Sequence, residues 1–262
     1  MDEADLERGQ ARAVGLTRAL GLARSLAIYY GRPWRLRALR RRYREFLGPG
    51  DLAFDVGAHV GNRTRCLRAL GARVIAVEPQ PDFAAWLRRQ FRNDRSVTVL
   101  EAALGAAPGR AMLHVSRRTP TVSTLSAGWI RQVRHSRGFA RVVWRNGHEV
   151  GVSTLDALIA RYGRPRFCKL DVEGFEAEVL RGLSEPIPAL SLEYLPAAIE
   201  VALAAVARLA GLGAYRFNLT EGEQTRWRWP QWRDADATLA WLASLRPGAR
   251  SGDVWGRLEP PA

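Results

Sequence analysis

Lysine is almost absent from this chain: Lys169 is the only one among 40 lysine and arginine residues. A net charge of +14 built on arginine alone reads as a bias of the coding sequence rather than a nucleic-acid-binding face. Cysteine is scarce as well. Cys66 and Cys168 are the only two, with no C-x-x-C pair, which excludes a disulfide scaffold and a zinc ribbon. Both read as reduced core thiols of a cytoplasmic protein. No apolar run is long enough to cross a membrane, because Arg18 and Arg24 interrupt Val14 to Tyr30. The first residues carry Asp2, Glu3, Asp5 and Glu7, the wrong sign for a secretory leader. Metal-ligand spacing is missing too, so no metal is expected.

What remains is the pattern of an α/β protein of 262 residues. Leu52-Ala53-Phe54-Asp55-Val56 is a short apolar strand that turns through Gly57 and Gly61 into a helix. The spacing is D-x-G-x-x-x-G, not the G-x-G-x-x-G that seats a pyrophosphate on a helix N-terminus. Asp55 would repel a phosphate. An acidic turn suits a nucleoside ligand with a positive centre, and S-adenosylmethionine, a sulfonium, meets that description. Arg73 to Pro79 forms a second strand ending in Glu78. A carboxylate there can accept two hydrogen bonds from a ribose diol.

Further along, Ser96 to Leu100 reads as a third strand, and Glu101 and Ala102 at its end could border an adenine. Ala111 to Val115 and Phe139 to Val152 are expected as extra strands. Between them Thr119 to Ser126 is rich in hydroxyls, either a lid over a substrate or an ordinary surface loop. Thr154 is the expected N-cap of a helix over Leu155 to Ile159. Lys169-Leu170-Asp171-Val172-Glu173-Gly174-Phe175-Glu176 then sets four charges in eight positions at the end of a strand. Charges beside a buried strand are costly unless paired or used on a ligand. Strands at Ile187 to Tyr194 (ending in Glu193), Tyr215 to Asn218 and Ser251 to Leu258 follow, the last pair expected as an antiparallel hairpin at one sheet edge. Trp227, Trp229 and Trp232 are either a substrate lining or a packed loop. Ahead of the first strand, an amphipathic helix is expected through Leu16, Leu20, Ala23, Ala27 and Tyr30. A second carries Leu36, Leu39, Tyr43 and Phe46 inward and arginines outward.

These segments resemble the FkbM family of S-adenosylmethionine-dependent methyltransferases. Phe54 to Asn62 is similar to the family's first motif and Val77-Glu78-Pro79 to its second. Ala103-Leu104-Gly105 and Ser153 to Asp156 match its middle elements, and K-x-D-V-E-G-x-E at 169–176 is the distinctive one. His59 stands where the first motif more usually has asparagine.

The resemblance implies a Rossmann-like class I methyltransferase: a seven-stranded, mostly parallel sheet with one antiparallel edge strand and helices on both faces. Residues 1–50 would be a helical extension, and 51–262 the methyltransferase domain, with a β-rich insertion near 111–152. The implied cofactor site comprises Asp55, Gly57, Ala58, His59, Gly61, Asn62, Glu78, Pro79, Glu101, Ala102 and Asp171. Asp171, Glu173 and Lys169 are the implied catalytic set, acting in methyl transfer to a hydroxyl of a small molecule or glycan. The competing expectation is a nucleic-acid methyltransferase or binding protein using the arginine-rich helix.

Overall fold

The computed structural model describes residues 33–116, 119–136, 138–222 and 226–260. The helix expected around Leu16 to Tyr30 lies outside the described residues. The chain opens with α1 (Pro33–Tyr43), β1 (Leu52–Val56), α2 (Asn62–Arg68), β2 (Arg73–Val77), α3 (Pro81–Gln90) and β3 (Val97–Leu100). Then come β4 (Ala103–Leu104), β5 (Gly109–Val115), α4 (Ala127–Val133), β6 (Arg145–Ser153), α5 (Leu155–Tyr162) and β7 (Phe167–Leu170). The last elements are α6 (Glu176–Arg181), β8 (Ala189–Tyr194), α7 (Ile199–Leu212), β9 (Tyr215–Glu221), α8 (Ala235–Ala243) and β10 (Gly252–Leu258).

Seven strands form one sheet in the order β3-β2-β1-β7-β8-β10-β9. All run parallel except β10, which is antiparallel to both its neighbours. The reversed strand therefore lies one position in from the edge, and β9 forms the edge. The expected hairpin is corrected on a second count, since α8 intervenes between β9 and β10. That helix is short and alanine-rich, and the Asp234 carboxylate caps it by accepting from the Ala237 amide.

Strand alternation decides which side chains face which layer. Phe54, Val56, Ile75, Val77, Cys168, Leu170, Leu190 and Leu192 pack in one core with residues of α5 to α8. Along α7 the buried Ala202, Ala205, Val206 and Leu209 recur at helical spacing and form its inward stripe. The opposite core contains Ala53, Val74, Phe167, Ala189 and Trp255 against Leu39 and Tyr43 of α1 and Cys66 and Leu67 of α2. Trp227 and Trp232 pack on the edge of that core, while Trp227 and Trp229 also border an open surface hollow with Arg42 and Arg228. The two thiols are free and buried.

A second sheet has the order β4-β6-β5, and α4, which lies between β5 and β6 in the chain, packs against Leu195, Ala197, Ala198 and Val201. Of the long strand expected over Phe139 to Val152, only Arg145 onward is a strand. Phe139 and Trp144 instead stack on one another and meet Trp129 edge-on, a three-ring cluster that suits a turn better than a pleat.

Candidate active site

The chain leaves β1 toward β2 on one side, while β7 pairs with β1 on the other. Such a switch point opens a crevice beyond the carboxyl ends of the strands. A cleft of about 840 Å³, counting the space at its mouth, lies there. Its wall includes Gly57, His59, Asn62, Arg63, Glu78, Pro79, Gln80, Ala102, Asp171 and Glu173, closed on the far side by Thr121, Ser123, Thr124 and Leu125.

Asp55 shares a sheet face with Ala53, so its carboxylate points under α2 and is wholly buried. Its Oδ2 accepts a 2.5 Å hydrogen bond from the Thr64 hydroxyl, whereas Oδ1 has no protein partner. Burial, only partly offset by Thr64, pushes the carboxyl up to about 6. Glu78 is likewise buried at the end of β2. Its Oε2 accepts from the His59 amide (2.8 Å) and its Oε1 from the Gln80 amide (2.9 Å). Desolvation outweighs both bonds and raises it to about 7.

The turn between them is built on left-handed residues. Gly57 has φ 81° and Gly61 φ 81°, while His59 has φ 49°. Histidine, like asparagine and aspartate, adopts that conformation more readily than other non-glycine residues. The His59 ring packs against Phe83 with centroids 4.2 Å apart, and burial lowers its pKa to about 3, so it stays neutral.

At the end of β7 the backbone turns through Glu173 (φ 52°) and Gly174 (φ 86°). A Cβ on Gly174 would overlap the Trp129 ring, so α4 rests directly on this turn. The Glu176 carboxylate, buried at the start of α6, accepts from the Val172 amide at 3.0 Å and ties the turn down. Asp171, Glu173 and Glu193 each bring a carboxylate oxygen to within 4.8 Å of the others. Burial, then the charges of Glu193, Asp171 and Glu176, hold the Glu173 carboxyl well above its ordinary value. Glu193 is raised to about 8 by burial and by Asp171.

The structure brings most of the expected residues together, with five exceptions, the first being Asp55, which is wholly buried and does not itself line the cleft. Glu101 is exposed, outside the cleft lining, and ion-paired with Arg88 at 2.8 Å, where water solvates its charge more cheaply than the cleft would. Ala58 and Gly61 are structural parts of the turn. The Ala58 amide bonds the Val77 carbonyl, and a Cβ on Gly61 would press on Leu87 and Phe91. Lys169 is 1% exposed and does not line the cleft. Its ammonium lies 2.8 Å from Asp253 and 3.8 Å from Asp171, so it meets the cleft only through the Asp171 carboxylate.

Sequence reasoning missed Thr64, Gln80 and Asp253. Thr64 alone left a signal, nine residues after Asp55 and one helical turn into α2.

The hydroxyl-rich segment is part of the cleft wall. The Thr124 hydroxyl donates to the Glu173 carbonyl at 2.6 Å and accepts from the Ser126 amide at 2.9 Å. Ser123 and Gln80 are linked side chain to side chain at 3.2 Å. Because Thr124 is buried, Thr124→Val should leave two polar groups unpaired and cost about 1–3 kcal/mol in urea unfolding. An unchanged midpoint would show that the segment closes the cleft without these bonds.

Sheet order and cleft together are those of a Rossmann-like methyltransferase. A family model described as the methyltransferase FkbM domain matches residues 55–201, and the chain belongs to that family. S-adenosylmethionine is accordingly its cofactor; the Glu78 carboxylate on the cleft wall suits a hydroxyl-bearing ligand, and the Asp55 oxygen without a protein partner is buried outside the lining. Hexuronic acid methyltransferase AglP of Haloferax volcanii is 27% identical over 169 residues, 60% of this chain. The chain spans 63% of the length of that curated relative. Among solved structures, precorrin-6Y C5,15-methyltransferase from Geobacter metallireducens aligns over 87% of this chain and 86% of its own, at 13% identity and TM-score 0.43. Fibrillarin of Aeropyrum pernix, solved with natively bound S-adenosyl-L-methionine, aligns over 80% of this chain and 67% of its own, at 12% identity and TM-score 0.40.

Proposed function

We propose that this chain is an O-methyltransferase acting on a hydroxyl of a sugar or similar polyhydroxylated small molecule. The observation that carries the reading is the Glu173 carboxyl, held at the cleft wall among Asp171 and Glu193 with its pKa raised. A hydroxyl is a poor nucleophile, and a carboxylate within reach of its proton can act as a general base. Glu173 takes the hydroxyl proton, and Asp171 orients the oxygen. S-adenosylmethionine supplies an electrophilic methyl group on a sulfonium. On the cofactor side Asp55 with the Gly57 turn holds the amino-acid end, Glu78 the ribose diol, and Pro79 and Ala102 flank the base. Thr121 to Leu125, over the cleft, exclude water and align the acceptor, the main work required of the protein in an in-line displacement.

A sugar acceptor is supported by the likeness to a hexuronic acid methyltransferase. A nucleic-acid acceptor is disfavoured by the carboxylates of the wall, and among the described side chains no arginine of α1 lines the cleft. We read residues 51–262 as one methyltransferase domain and 1–50 as its extension. Among the described residues no helix is long and apolar enough to cross a membrane. The two buried thiols support a reducing, cytoplasmic setting.

Calorimetric titration with S-adenosylhomocysteine, followed by mass-spectrometric screening of methyl glycosides for a gained methyl, tests both halves. Micromolar binding and a methyl ether product are expected. Binding without transfer to any glycoside would overturn the acceptor, and no binding by folded protein would overturn the site.

A further inference from the structure

We propose that Asp253, on the reversed strand β10, is a positioning residue for methyl transfer, fixing the Asp171 carboxylate at the cleft wall through the Lys169 ammonium. The inference rests on the role given to Asp171 above. Asp253 lies outside residues 55–201, so the family match does not reach it. Its strand is not a neighbour of β7, because β8 runs between them. Lys169 is level with Ser191 of β8, and Asp253 is level with Glu193 two residues further along. The lysine chain therefore crosses β8 at a serine, a side chain small enough to pass, and its ammonium meets Asp253 on the far side at 2.8 Å.

Two carboxylates compete for this one buried cation. Asp253, 16% exposed, has the close contact; Asp171, 30% exposed and lining the cleft, stays at 3.8 Å. A buried ammonium without a close partner is strongly unfavourable, and although Asp55, Glu173, Glu176 and Glu193 share its field, Asp253 and Asp171 are the two in ion-pair contact. With Asp253 in place, Lys169 is neutralised from behind and the Asp171 oxygens remain available to an acceptor. Without it, the ammonium closes on Asp171 and draws that carboxylate out of the cleft. Burial alone would push the lysine pKa down, but Asp171 and Asp253 outweigh it and hold the group charged.

The chain offers an unusually direct test. With a single lysine, full-length protein grown on ¹⁵N-lysine gives one side-chain ammonium resonance. In Asp253→Asn that resonance should shift and its protons exchange faster. Transfer to a responsive methyl glycoside should lose about tenfold or more in kcat, with S-adenosylmethionine KM and S-adenosylhomocysteine affinity held within about twofold. Asp253→Glu should restore part of kcat. An unmoved resonance, or an unmoved kcat, overturns the proposal. Joint loss of cofactor affinity and kcat in both variants does so too, since it marks a merely structural role. If the wild type binds S-adenosylhomocysteine yet methylates no glycoside, the acceptor reading fails, and the ammonium resonance of Asp253→Asn alone decides the positioning claim.

Discussion

Asp55→Asn is expected to make the cofactor-free protein more stable above pH 7 while costing it about 30- to 150-fold in S-adenosylhomocysteine affinity. The two effects have one cause. Asp55 is a wholly buried carboxyl displaced from 3.8 to about 6, which corresponds to about 3 kcal/mol against the charged form. A group raised in this way stabilises the fold fully below its unfolded pKa, and the contribution is lost as pH rises through the folded value. Glu78 and Glu176, raised to about 7, and Glu193, raised to about 8, act in the same direction. The thermal midpoint of the free protein should therefore fall as pH is raised from about 5 to about 8, with Asp55→Asn removing one share of the slope. Asparagine can still accept from Thr64, so the turn survives the exchange. What goes is the ionised Oδ1, the one oxygen of Asp55 without a protein partner. Thermal melts across that range, paired with calorimetry, check both arms. If stability and affinity fall together, Asp55 is there to hold the turn and not to hold a ligand.

That combination explains why this part of the site was legible in the sequence. A carboxylate ending an apolar strand is an expense the fold does not need, and such residues stand out in a run like Leu52 to Val56. Asp55, Glu78 and the 169–176 stretch all have that character; Glu78, Asp171 and Glu173 line one cleft, while Asp55, Lys169 and Glu176 are buried outside its lining. Glu101 had the same local look and went elsewhere. Nothing in its own strand announces that Arg88, on the preceding helix, reaches it in open solvent. Asp253 was illegible for the opposite reason, since its partner is 84 positions away and is met only because β10 inserts antiparallel beside β8. Helix α8 escaped because alanines at four of its nine positions leave little periodic contrast. The 139–144 segment resembled a strand because its aromatic residues favour sheets. Here they satisfy one another around Trp129.

Gly57→Ala is expected to cost about 3 kcal/mol or more of folding stability and to remove measurable cofactor binding. Gly57 carries φ 81°, where a Cβ alone costs about 1–2 kcal/mol. Far more consequential is what that Cβ would meet: it would overlap the carbonyl oxygen of Asp171. The obstacle is backbone and not the end of a flexible side chain, so relief requires β1 and β7 to part at their carboxyl ends. Those ends are joined there by the Asp171 amide bonded to the Val56 carbonyl at 2.9 Å. Gly50 provides the control, with φ 85° and open space where its Cβ would be. Gly50→Ala should lose about 1 kcal/mol in urea unfolding and bind S-adenosylhomocysteine normally. The difference between the two variants then measures how closely the first motif must approach the Asp171 turn. If Gly57→Ala proves no worse than Gly50→Ala, the two motifs do not depend on that close approach, and Asp171 can be placed without Gly57.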